Sequence, residues 1–271
     1  MKKILGAALV LSLVFAGAVF GEVKAKDGVY FAQEDVFGAT GWKDQVVVKV
    51  AGGKVTEVTW NGVSNLGGAD KLTVSANGGY GMEKASKLKL RWDEQAKNAA
   101  AAIVKTQDVA LKATKDGYAD GVTGASIHVV GLNALVVKAL ASAPVAKGTF
   151  KKDGWFFTEA ADFDKNSGWK DNVVVTVANG TIVDVLWNGI SKDTKKKSKL
   201  VEALAGNYGM AKAAKQGEWN LQAARVEAAI VKAGDPSKIA LKADGTTDAI
   251  TGATLHPTAV VLAAEALKAA R

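Results

Sequence analysis

Two short strings hold the residue types and spacing that could do chemistry: Asp120-Gly121-Val122-Thr123-Gly124-Ala125-Ser126 and Asp248-Ala249-Ile250-Thr251-Gly252-Ala253-Thr254. Each sets an acid, two spacers, Thr-Gly-Ala and a hydroxyl residue just ahead of an apolar helical run. That order puts Ser126 and Thr254 close to a helix N-terminus, where free N–H groups and the macrodipole favour an anion, phosphate especially. Gly124 and Gly252 let the backbone turn tightly, and Ala125 and Ala253 leave room beside the hydroxyl. Pro257 suits the first turn of a helix. The plainer role for Ser126 and Thr254 is helix capping. Capping alone, however, does not ask for the preceding Asp, Thr, Gly and Ala in two diverged copies. His128 and His256 each follow the hydroxyl by two. They can serve as partners of a bound phosphate or ring, or simply face solvent in the first helical turn.

The rest of the 271 residues narrows the chemistry. Cys is absent, which excludes thiol nucleophiles, disulfide scaffolds, zinc ribbons, iron–sulfur clusters and c-type haem. Two histidines do not make a multi-histidine metal or haem centre. There is no G-x-x-x-x-G-K-[ST] phosphate loop, no G-x-G-x-x-G fingerprint and no H-E-x-x-H. A hydrolase built on Asp–Ser or Asp–Thr lacks a base and an oxyanion arrangement. Chemistry, if any, rests on something bound to the chain.

The elements that must position these strings come in duplicate. Residues 41–63 and 168–190 are identical at 14 of 23 positions without a gap. Asp27-Gly28, Tyr80-Gly81-Met82, Trp92 and Ile103-Val104-Lys105 recur in order as Asp153-Gly154, Tyr208-Gly209-Met210, Trp219 and Ile230-Val231-Lys232. The copies span 26–143 and 148–271, joined near Ala143-Pro144-Val145-Ala146-Lys147-Gly148, and each is long enough for its own core. Gln45–Val50 and Val55–Trp60 read as strands around Gly52-Gly53, and Asn179-Gly180 is a strong hairpin signal in the second copy. Glu94–Val104, Leu221–Lys232, Val129–Leu140 and Ala259–Ala269 carry helical periodicity. Each copy is therefore α+β, an antiparallel hairpin packed with helices. Trp60-Asn61-Gly62 and Trp187-Asn188-Gly189 are expected to end a strand at a polar turn. There the indole would face a ligand while Asn61 or Asn188 offers its amide.

Residues 1–25 read as a signal peptide: Lys2 and Lys3 precede an apolar run, Ile4–Phe20, with small residues after it. This predicts export, to the periplasm or beyond, with a cut between 18 and 25 and no stable membrane span after cleavage. The alternative is an uncleaved membrane anchor, because the run approaches the length of a spanning helix. Setting Lys2 and Lys3 aside, 33 basic and 27 acidic residues leave a net charge near +6. The dense basic stretch, Lys192–Lys199, has no interleaved aromatics, so it reads as a solvated loop or helix start and not as a nucleic-acid surface.

Both strings resemble the flavinylation motif of the FMN-binding domain family, which includes flavin-carrying subunits of sodium-pumping and Rnf complexes and secreted flavoproteins of extracellular electron transfer. The resemblance covers roughly 27–141 and 153–268, with only the motif sharp. It implies that a flavin transferase splits FAD and links FMN through its phosphate to Ser126 and Thr254, two FMN per chain. It makes Asp120, Thr123, Gly124 and Ala125, with Asp248, Thr251, Gly252 and Ala253, the recognition segments. The family's acceptor is more often Thr, so Ser126 is a departure. The function implied is an electron carrier with unidentified redox donor and acceptor, not an enzyme with its own substrate. The alternative is a non-redox module holding a small anionic ligand at the two helix N-termini.

Overall fold

The computed structural model describes residues 25–271, so all but the last residue of the expected signal peptide lies outside it. The first copy opens with β1 (Gly28–Gln33), β2 (Trp42–Ala51) and β3 (Lys54–Ser64), an antiparallel sheet in that order. Helices α1 (Lys71–Ala76), α2 (Met82–Ala85), α3 (Trp92–Thr106) and α4 (Val130–Leu140) follow. The second copy repeats the plan with β4 (Gly154–Glu159), β5 (Trp169–Ala178) and β6 (Thr181–Ser191). Its helices are α5 (Lys199–Leu204), α6 (Trp219–Ala233) and α7 (Thr258–Ala266). The molecule is α+β, with two three-stranded antiparallel sheets and their helices in tandem.

The hairpin turns behave as expected, since Asn179 and Gly180 both take positive φ (52° and 71°). The leading strands, β1 and β4, were not expected. Their signal is the repeated Asp-Gly before each: Asp27 accepts hydrogen bonds from the N–H groups of Gly52 and Gly53, and Asp153 from those of Asn179 and Gly180. Each acid thus ties the incoming strand to the neighbouring turn.

Within the first copy, Val46, Val48, Val50, Val58 and Trp60 turn to α3 and α4 and form one core with Ile103, Leu132 and Val136. The second copy has the matching core. The opposite faces of the two sheets meet each other, which is why Val46–Val48 is hydrophobic without alternation. Gln45, fully buried there, donates to Asp184 Oδ2 (2.8 Å) and accepts from Trp155 Nε1 and Thr176 Oγ1. A polar network therefore joins the copies. The join at 143–148 is pinned as well: Val145 N–H donates to the Val29 carbonyl, and Asn179 Nδ2 donates to that of Val145.

Candidate functional site

Each copy holds a cavity between its hairpin, its long helix and the segment that begins at the string's last hydroxyl, about 660 Å³ in the first and 1070 Å³ in the second. Nine wall positions correspond between the copies. Trp60 and Trp92 meet edge-to-face with ring centroids 5.1 Å apart at 69°, and Trp187 and Trp219 do so at 5.1 Å and 68°. Tyr80 and Tyr208 flank these pairs. Burial lifts both phenols above the usual tyrosine range, Tyr208 to about 12, where the carboxylates of Asp171, Glu218 and Asp164 add to it.

A buried lysine sits in each wall. Lys71 Nζ lies 4.2 Å from the Trp92 ring centroid and 3.0 Å from Asp44 Oδ1. Lys199 Nζ lies 5.0 Å from the Trp219 ring and 2.8 Å from Asp171 Oδ1. An ammonium over an indole face is attracted by the ring quadrupole, and pairing with a carboxylate is what makes a buried charge tolerable. The copies differ in one detail. Trp60 Nε1 donates to Asp44 Oδ2 at 3.0 Å, whereas Asp171 Oδ2 accepts from Thr258 Oγ1, leaving the buried Trp187 Nε1 without an acceptor.

Ser126 and Thr254 line these cavities, as do His128 and His256. The hydroxyls do not cap helices. Helices α4 and α7 begin only at Val130 and Thr258, and their N-cap residues, Val129 and Pro257, make no side-chain cap bond. A glutamine holds each hydroxyl residue instead. Gln95 Oε1 accepts from the Ser126 N–H (2.9 Å) and Oγ–H (3.1 Å), and Gln222 Oε1 accepts from the same groups of Thr254 at the same distances. One helical step along, Asn98 Nδ2 donates to the Gly124 carbonyl (2.9 Å) and Arg225 Nη1 to that of Gly252 (2.6 Å). The i, i+3 pair on one face of α3, and its counterpart on α6, thus clamps the string. Gly124 and Gly252 take φ of +74° and +77°, and a Cβ on Gly124 would lie 2.4 Å from Asn98 Nδ2.

The rest of each string points elsewhere. Asp120 pairs with Lys112 (2.8 Å) and Asp248 with Lys242 (2.6 Å), on the outer side. Thr123 and Thr251 are exposed, while Ala125 and Ala253 are buried. None of these, nor Gly124 or Gly252, lines a cavity. His128 and His256 precede the helices instead of lying in their first turns. His128 stacks on Tyr118, with centroids 3.9 Å apart.

The expectation for Asn61 and Asn188 fails. The strands run on past both, to Ser64 and Ser191, and the two amides are fully buried. Asn61 Oδ1 accepts from Gly62 and Leu72 N–H, and its Nδ2 donates to Asp70, the N-cap of α1. Asn188 Oδ1 accepts from Gly189 and Leu200 N–H. These asparagines fasten the lysine-bearing helices to the sheet. Trp60 and Trp187 do line the cavities, though as buried residues.

Sequence reasoning passed over Asp44, Lys71 and Gln95 with their partners Asp171, Lys199 and Gln222. Each pair recurs at the repeat's own offset, and that signal would have found them. Lys199 closes the basic stretch and is buried, while 192–197 are exposed as expected.

No family model matches the chain, and no curated protein matches it. Among solved structures, the chain is similar to a solution structure of a protein from Clostridium thermocellum. The identity is 46%, over 44% of this chain and 92% of that one, with a TM-score of 0.35. It is also similar to a crystal structure of a protein from Clostridium perfringens, at 26% identity over 45% of this chain and 89% of that one, with a TM-score of 0.34. Among the described residues no group of side chains is arranged to hold a metal ion, and no helix is long and apolar enough to cross a membrane.

Proposed function

We propose that this protein is an exported electron carrier bearing one covalent FMN per domain, joined through phosphate to Ser126 and Thr254 by a flavin transferase. The observation that carries the reading is the same in both copies. The last hydroxyl of the string opens onto an aromatic-walled cavity with a buried lysine, and a glutamine holds it there.

The residues suit such a group. The volumes fall in or near the range of cofactor sites, which are mostly apolar with a few placed polar groups. Trp187 Nε1 is a buried donor whose acceptor a ligand would supply. Bound flavin supplies the redox chemistry; the chain supplies tethering, orientation and local charge. Gln95 and Gln222 take the hydroxyl proton's hydrogen bond, so an oxygen lone pair of Ser126 or Thr254 is left free to bond phosphorus. A glutamine is no base. Removal of the hydroxyl proton therefore falls to the transferase, and AMP is the leaving group when FAD is split. Lys71 and Lys199 would offset negative charge that develops on the ring during reduction.

The test is absorbance of protein made with a flavin transferase, then denatured and washed. Covalent flavin stays yellow with the polypeptide. A module that merely binds an anion comes out colourless, and that result would reject the proposal.

A further inference from the structure

The two cavities differ in charge. The first sets Asp44 against Lys71 and the exposed Lys87, two cations to one anion. The second sets Asp171 against Lys199 and adds Asp162, Asp164 and Lys165, two cations to three anions. Lysines and aspartates together give the walls +1 and −1. The difference has a structural origin. In the second copy the loop between β4 and β5, residues 160–168, folds across the cavity and brings its carboxylates along. The equivalent loop of the first copy turns away, and its Phe37 packs on the core of the second copy. Asp164 is held below the usual carboxylate range by the N–H and hydroxyl of Ser167, which fixes its negative charge.

Resting on the flavin reading above, we propose that the two sites hold their flavins at different potentials, the Ser126 site higher, so that electrons pass from the second domain to the first. A reduced flavin carries more negative charge near neutral pH than the oxidised form. Asp162 and Asp164 oppose that charge in the second cavity, while Lys87 favours it in the first. In the transfer, two electrons and one proton leave the reduced flavin at Thr254, which returns to its oxidised form. Two electrons and one proton then reduce the flavin at Ser126, and no third reactant is needed. The second domain is thus the entry point for a donor and the first domain the exit to an acceptor.

The experiment is a spectroelectrochemical titration of the full chain made with a flavin transferase, as Thr254→Val (flavin at Ser126 only) and as Ser126→Ala (flavin at Thr254 only). The Ser126 flavin should titrate at the more positive potential. The offset should correspond to at least tenfold in the electron-sharing equilibrium, about 30 mV for a two-electron couple. It should narrow with added salt, because the extra charges are exposed. Asp162→Asn should raise the Thr254 potential alone, and Lys87→Gln should lower the Ser126 potential alone; both side chains are exposed and neither makes a hydrogen bond the fold needs. Equal or reversed potentials, or potentials indifferent to both charge changes, overturn the inference while leaving the flavin reading standing. Absence of flavin from both variants overturns the reading and this inference with it.

Discussion

Replacing Gln95 by Leu separates a positioned acceptor from an incidental one. Gln95 is fully buried and makes four hydrogen bonds through its amide: two accepted from Ser126, and two donated, to the Leu90 carbonyl (3.0 Å) and to Ser86 Oγ (3.1 Å). Leucine fills nearly the same volume and makes none of them. At about 1 kcal/mol net per bond, partly regained where Ser126 and Ser86 can reach water, the loss is roughly 2–3 kcal/mol. That lowers the melting temperature by about 5–15 °C. The hydroxyl of Ser126 also loses its orientation, so attachment there should drop sharply, while Thr254 in the same molecule stays fully modified. Gln222→Leu should give the mirror result. Intact mass with peptide mapping reads the attachment, and calorimetry reads the stability. Ile103→Ala is the control for destabilisation alone. It removes a buried side chain of the same core at a cost of about 2–4 kcal/mol and should leave Ser126 modified. Full modification of Ser126 in Gln95→Leu with an unchanged melting curve would refute the reasoning.

Gly124→Ala should cost about 1–3 kcal/mol by denaturant titration, because its φ is positive and the new Cβ displaces Asn98 from its bond. Gly252→Ala should cost less, since the longer Arg225 side chain can give way at 3.1 Å. Burial pushes the Glu227 carboxyl up to about 8, against the N–H of Trp187 that it accepts at 2.7 Å. The folded state then holds a proton that the unfolded chain releases near pH 4.5, so this contribution is full below that pH and is lost as pH rises through about 8. Thermal melts from pH 5 to 9 should show Glu227→Gln relieving a loss of about 1–3 kcal/mol at the alkaline end, and no relief would contradict it. Residues 26–143 and 148–271 should each melt cooperatively when expressed alone. The second half should melt lower than in the intact chain, because it loses the Asn65 carbonyl that Asn188 and Ser198 donate to and the packing of Val63.

The sequence carried the duplication, the hairpins and the two repeated Thr-Gly-Ala strings clearly, because identical residues at one offset, glycine-bearing turns and helical spacing are local signals. The environment of Ser126 and Thr254 was less legible. Ser126 and Thr254 look like caps when only the neighbouring helix is considered, yet their partners, Gln95 and Gln222, lie 31 and 32 residues earlier on another helix. Asn61 and Asn188 sit at a point where polarity suggests a turn. A buried amide that satisfies two N–H groups keeps the strand going instead. Lys71 and Lys199 pass for surface residues by type, and only the enclosing rings and the paired aspartates make their burial affordable. In each case the deciding contact is long-range, so no window along the chain contains it.

The most direct measurement is the intact mass of four proteins, each produced with an active flavin transferase: the unaltered chain, Ser126→Ala, Thr254→Val, and the double variant. The account predicts two, one, one and no FMN groups. Flavin retained on the double variant, or an unaltered chain left bare by a transferase that modifies a control substrate, would contradict it.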